Sequence, residues 1–158
     1  MSEKYHVSVR STPLPLPLQC FIHAYIVTQH AGVSNRYEVI IPGMYKNIFP
    51  YDGRIFKNLM ASEKGFLIFF ERNPDMSRGL RWHTKEASRC EGDVGSPTHK
   101  LYEFIESGNL HKYPHKNNYH MIKGPNCNAF IQWIIDQVPE ANLSLPWNAW
   151  GKSFKGYV

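Results

Sequence analysis

The chain has 158 residues, of which 42% are hydrophobic and 20% charged, with a formal net charge of +5. That is one domain's worth of sequence, long enough to bury a core without staples and too apolar for a disordered chain. Its basic residues are scattered, with no run of five or more like charges, so the charge permits an acidic partner without demanding one.

The three cysteines, Cys20, Cys90 and Cys127, are odd in number and irregular in spacing, which argues against a disulfide framework and for a reducing compartment. Met1 to Leu18 holds no apolar core of signal-peptide length, and no stretch approaches the ~20 apolar residues of a membrane-spanning helix. A soluble, cytoplasmic protein with no membrane span is expected, with leaderless secretion the other compatible route.

Residues 1–12 are polar and read as loosely ordered. Pro13-Leu14-Pro15-Leu16-Pro17-Leu18 follows, and alternating prolines favour an extended segment that cannot join a central ladder. Residues 1–19 are therefore read as an extended N-terminal segment and residues 20–158 as a single α+β domain. Cys20 to Val27 is short, apolar and rich in β-formers, and reads as a buried strand. Its alternation puts His23, Tyr25 and Val27 on one face and Ile22, Ala24 and Ile26 on the other. Thr28 to Asn35, with Gly32, reads as a hairpin loop, and Arg36 to Ile41 as a second strand. On that strand Glu38 shares a side with Arg36 and Ile40.

Residues 44–64 are ambiguous, with turns expected at Pro50 to Gly53. Gly65 to Glu71 reads as a strand, and residues 72–96 as a long surface excursion. Pro97 to Ser107 suits a helix with Leu101, Phe104 and Ile105 on one face and Gly108 beyond its end. Asn117 to Lys123 is a further strand candidate. Asn126 reads as an N-cap, opening a helix to Val138 with Phe130, Ile131, Ile134 and Val138 on one stripe. Cys127 falls on that stripe one turn earlier, and Pro139 stops the helix.

A thiol at a helix N-terminus meets unpaired backbone N–H groups and the positive end of the helix dipole, and both favour thiolate over thiol. The same N–H groups can hold the oxyanion of a tetrahedral intermediate. A cysteine nucleophile needs a base, and the base an orienting partner. His23, in the middle of an apolar strand, needs a hydrogen-bond partner if buried, and Glu38 on the next strand is a candidate. Each residue also has a plain structural role open to it: Cys127 as a small core residue, His23 as a satisfied buried histidine, Glu38 as a strand-surface carboxylate.

The stretch from His23 through Arg36-Tyr37-Glu38-Val39, then Tyr113-Pro114, Tyr119, Gly124 to Phe130, Val138-Pro139-Glu140, Leu145-Pro146 and Gly151-Lys152 resembles domain-of-unknown-function family 3750, found in bacterial proteins. The resemblance spans about residues 20–155 and is most specific in the C-terminal third. In that family the position of Cys127 is commonly serine. More broadly, histidine on an early strand followed much later by Asn-Cys at a helix start is similar to circularly permuted papain-like proteins: PPPDE peptidases, the lecithin retinol acyltransferase group and NlpC-type amidases. That similarity implies an antiparallel sheet packed against a C-terminal helix, with Cys127 as nucleophile, His23 as base and Glu38 as orienter. Asn126 and Asn128 match the asparagines that flank the cysteine in PPPDE-type motifs, and with Tyr119 they are candidates for substrate or oxyanion contact.

These readings imply a cysteine-dependent amidase, peptidase or acyltransferase acting on a protein or peptide-like substrate, with no cofactor and no metal. The alternative is a non-catalytic binding or regulatory domain on the same fold. The eight histidines and three cysteines lack the paired spacing of structural zinc sites. Lys112 to Lys123 interleaves bases and aromatics without a recognised nucleic-acid module, so nucleic acid is not the expected partner.

Overall fold

The computed structural model describes residues 3–14, 21–40, 52–59, 84–121 and 123–154. Its frame is an antiparallel sheet of five strands: β1 (Tyr5–Pro13), β2 (Ile22–His30), β3 (Val33–Val39), β4 (Ile55–Lys57) and β5 (Lys85–Gly92), ordered β4-β3-β2-β1-β5. Two helices, α1 (Pro97–Glu106) and α2 (Cys127–Ile135), pack against it, α1 on β1 and β5 and α2 on β2 and β3.

The period-2 alternation of the strands decides the layers. Val7 and Val9 of β1, Ala24 and Ile26 of β2 and Tyr37 of β3 are buried in the core with Leu101 and Ile105 of α1 and Phe130 and Ile134 of α2. His6, Ser8 and Arg10 of β1, and His23, Tyr25 and Val27 of β2, alternate onto the opposite face. β2 and β3 are joined by a two-residue hairpin, Ala31-Gly32, with φ of 50° and 72°. Positive φ at both central residues gives the turn whose twist matches the strands. The sequence had suggested a wider loop from Thr28 to Asn35; most of it is ladder instead.

Both helices start on a side-chain cap. Ser96 Oγ accepts from His99 N at 3.1 Å with Pro97 at the first helical position, and Asn126 Oδ1 accepts from Ala129 N at 3.1 Å. The second helix ends at Ile135, short of the expected Val138, and the chain continues into a 3₁₀ turn at Pro139–Ala141.

Three expectations are corrected. The segment 1–12 was expected to be loosely ordered, but Tyr5–Pro13 lies between β2 and β5, inside the sheet. Of the polar residues that suggested disorder, His6, Ser8 and Arg10 alternate onto the face opposite Val7 and Val9, while Ser11 and Thr12 are buried. The excursion at 72–96 contains β5, a polar edge strand paired with β1; its residues 72–83 lie outside the described residues. The strand candidate at 117–123 forms turns where it is described, closed by His120 N to Pro125 O at 2.8 Å and Gly124 N to His120 O at 3.0 Å. The expected strand at 65–71, most of the proline-rich segment and Cys20 lie outside the described residues. Among the described residues no helix is long and apolar enough to cross a membrane.

Candidate active site

The site forms where the sheet opens. β2 pairs with β3 only from Ile26↔Tyr37 outward, while β3 runs on to Val39 paired with β4. The N–H of Ala24 and the C=O of Ile22 therefore lack β3 partners, and the first turn of α2 supplies them. Asn128 Oδ1 accepts from Ala24 N at 3.2 Å, and Asn128 Nδ2 donates to Ile22 O at 3.2 Å and to Trp150 O at 2.8 Å. One side-chain amide stands in for a missing strand and pins the start of α2 beside His23.

Asn126 is spent in the same way. Besides capping α2, its Nδ2 donates to Met121 O at 2.8 Å and Trp150 O at 3.0 Å. Gly151 passes so close that a Cβ there would lie 2.4 Å from Asn126 Nδ2, and its φ of +85° also favours glycine. Both asparagine side chains thus bond backbone groups and hold the helix start between β2 and the C-terminal turn.

On the face of β2 away from the helices, a line of charged groups runs inward. His23 Nε2 is 2.8 Å from Glu38 Oε2. Glu38 is held in turn by Arg36, with Nε 2.7 Å from Oε1 and Nη2 donating to Oε2 at 2.8 Å. The Arg36 guanidinium carbon lies 3.7 Å above the Tyr25 ring. Arg36 and Glu38 are fully buried and His23 is 2% exposed. His23 and Cys127 act on each other electrostatically, and the Cys127 thiol donates to Asn128 Oδ1 at 3.7 Å.

Electrostatics follow from this chain. Burial pushes the His23 pKa down, but the thiolate of Cys127, its hydrogen bond and Glu38 outweigh burial and raise it from 6.5 to about 9. Burial pushes the Cys127 thiol up, yet the His23 imidazolium, its hydrogen bond, the Ala24 N–H and the Tyr119 hydroxyl together hold it below its ordinary 9.0. For Glu38, burial is likewise outweighed by the His23 hydrogen bond and the Arg36 charge, and the carboxyl is held below 4.5. Both shifts favour the charged forms of His23 and Cys127, beside the Glu38 carboxylate and the Arg36 guanidinium.

Tyr119 completes the surroundings of the sulfur. Burial and the adjacent thiolate push its phenol well above 10, so it stays protonated beside Cys127, hydrogen-bonding both the sulfur and the backbone N–H of Cys127. Cys90 makes the contrast. It is half-buried, its thiol donates to Val7 O at 3.6 Å, and burial raises its pKa.

The family model described as "Protein of unknown function (DUF3750)" matches residues 68–154, just over half of the chain. The chain belongs to this family. The DUF3750 match covers Tyr119, Asn126, Cys127 and Asn128, while His23, Arg36 and Glu38 lie before it. No curated protein and no solved structure matches the chain.

The structure thus brings Cys127, His23, Glu38 and Tyr119 of this DUF3750 protein into one contact network, with Asn126 and Asn128 bonded to backbone around it. Sequence reasoning had passed over Arg36 and the N–H of Ala24. Arg36 carried a signal: it lies two residues before Glu38, on the same strand face.

Proposed function

We propose that the protein is a cysteine-dependent acyl-transfer enzyme, an amidase, peptidase or acyltransferase, on a circularly permuted papain-like fold. The observation that carries this reading is His23 bridging Glu38 and Cys127, with the thiol at the first position of a helix. The order along the chain, histidine strand first and cysteine helix last, fits the permuted arrangement.

The residues take these roles. His23 holds the thiol proton as imidazolium, and the Cys127 thiolate attacks the carbonyl carbon of an amide, isopeptide or thioester, forming the S–C bond. Charge moving to the carbonyl oxygen is met by the Tyr119 hydroxyl, which the sulfur releases as its charge passes into the S–C bond. The oxyanion collapses, the leaving group takes the proton from His23, and an acyl-enzyme remains. Water or an acceptor nucleophile, deprotonated by His23, then releases the acyl group. Glu38 keeps the imidazole turned with Nε2 inward, and Arg36 keeps Glu38 ionised. Asn126 and Asn128 position the helix start.

Iodoacetamide labelling followed by peptide mass analysis tests the proposal. Cys127 is expected to react at neutral pH at least tenfold faster than Cys90, and His23→Ala to lower that rate by a similar factor. Equal, slow labelling of the two thiols would sink it.

One observation favours a second reading, a non-catalytic binding domain in which Cys127 only packs: the residue is 4% exposed. Replacement Cys127→Ser separates the two, since a packing role survives loss of the thiol and thiolate chemistry does not.

A further inference from the structure

A second polar site lies on the same sheet face, apart from Cys127. Strands β1, β2, β3 and β5 enclose a cavity of about 90 Å³ there. His6, Ser8 and Arg10 line it from β1, Arg89 faces Ser8 from β5, and Gln29 and Ser34 pair across the hairpin. At ~30 Å³ per water, the space matches about three waters, room for a single small oxyanion.

Its lining is dominated by donors. Arg10 Nε is buried and, among the described residues, has no hydrogen-bond partner. Such a group is rare in a folded protein and calls for an acceptor. Arg89 Nη2 lies 3.0 Å from His6 Nδ1, which holds the second guanidinium beside the cavity. Two carboxylates approach from β5 without lining it. Glu86 Oε2 is 3.6 Å from Arg10 Nη2 and 4.0 Å from Arg89 Nη1, and Glu91 Oε2 is 3.6 Å from His6 Nδ1. Those separations exceed hydrogen-bond length, and such pairs are weak at a surface. They leave the Arg10 Nε–H unsatisfied.

We propose that this cavity binds a small oxyanion of the phosphate class, held by the Arg10 and Arg89 guanidiniums with the Ser8 and Ser34 hydroxyls and the Gln29 amide as further donors. Guanidinium pairs suit such groups because their N–H forks match the spacing of the oxygens. The site is independent of the thiol chemistry proposed above.

The test is titration of the full chain with inorganic phosphate, followed by backbone amide shifts, with O-phosphoserine run in parallel to tell a free anion from a phosphate carried on a larger molecule. Saturable shifts confined to residues around 6–10, 29–34 and 89 are expected. Arg10→Gln and Arg89→Gln should each weaken binding roughly tenfold or more, and Cys127→Ser should leave it unchanged. Identical shifts from sodium chloride at matched ionic strength would overturn the proposal, as would wild-type affinity in both arginine variants. The wild-type titration decides the matter even if a variant fails to fold.

Discussion

Arg36 grips both oxygens of Glu38, with Nε 2.7 Å from Oε1 and Nη2 2.8 Å from Oε2, in a part of the sheet that solvent does not reach. That grip makes a buried carboxylate tolerable next to a histidine. Removing the guanidinium leaves Glu38 with His23 alone. Arg36→Met is expected to destabilise the fold by about 3–5 kcal/mol, the usual cost of breaking a buried ion pair from one side. The loss of stability in urea should grow less at acid pH. The lowered pKa of Glu38 contributes stability present above its ordinary 4.5 and lost as pH falls through the folded value, and the variant forfeits that contribution. Unchanged stability would show that the pair contributes nothing.

The coupling between His23 and Cys127 has a pH signature of its own. His23, with its pKa raised from 6.5 to about 9, adds stability that is complete below 6.5 and is lost as pH rises through about 9. Cys127, with its pKa lowered from 9.0, adds stability that is complete above 9.0 and is lost as pH falls through its folded value. Where the folded pair is imidazolium and thiolate, between about 6.5 and 9, the slopes cancel, because that pair and the unfolded imidazole and thiol bind the same number of protons. The stability difference between wild type and Cys127→Ala should therefore stay level from about pH 6.5 upward and shrink only at lower pH, as pH falls through the folded value of Cys127. Urea unfolding from pH 5.5 to 10 measures it; a steady slope from 6.5 to 9 would mean that the thiol is not ionised in the fold.

Asn128 is predicted to matter as backbone, not as chemistry. Its amide closes the ladder at Ala24 N and Ile22 O, where β3 has moved away. Asn128→Ala leaves the Ile22 acceptor buried without its partner and the Ala24 N–H with the Cys127 sulfur alone, at a cost of about 1–3 kcal/mol for the first and less for the second. Trp150 O keeps its bond from Asn126. The variant should lose about 3 kcal/mol, and hydrogen exchange should quicken at the Ala24 amide. Protection at Ala24 that survives the substitution would refute this role.

The parts of this arrangement legible in the sequence were those with one strong local signal. The apolar run to Val27 marked β2, the apolar face from Leu101 to Ile105 with Gly108 beyond marked α1, and the Asn126 cap and apolar stripe marked α2. Alternation put His23 and Tyr25 on one face and Glu38 and Arg36 together on the next strand, so the pairing of His23 with Glu38 was within reach. β1 and β5 were missed because their outward residues, His6, Ser8 and Arg10 on one and Lys85, Glu86 and Arg89 on the other, made them look like surface loops. Arg36 is placed beside Glu38 by the alternation but given no role, because a buried guanidinium is rare unless paired, and its partner is two residues away on the same strand. The role of Asn128 depends on where β3 departs from β2, a property of the sheet that no local pattern encodes.

Glu106 offers a control in which stability and reactivity should part company. Its carboxylate accepts from Thr28 Oγ1 at 2.5 Å, Asn35 Nδ2 at 3.1 Å and Tyr37 Oη at 2.9 Å, with Lys57 Nζ at 3.4 Å, tying the end of α1 to β2, β3 and β4. Burial pushes its pKa up, but those hydrogen bonds outweigh burial and hold it below 4.5. Glu106→Ala removes the acceptor that Thr28, Asn35 and Tyr37 share and should cost about 2–4 kcal/mol. None of these groups touches Cys127 or His23, so the iodoacetamide rate at Cys127 should stay within about twofold of wild type in conditions where both proteins are folded, as expected for sites without shared partners. A large fall in that rate without unfolding would mean that thiol reactivity depends on the far end of the sheet, and not on the local line from Arg36 to Cys127.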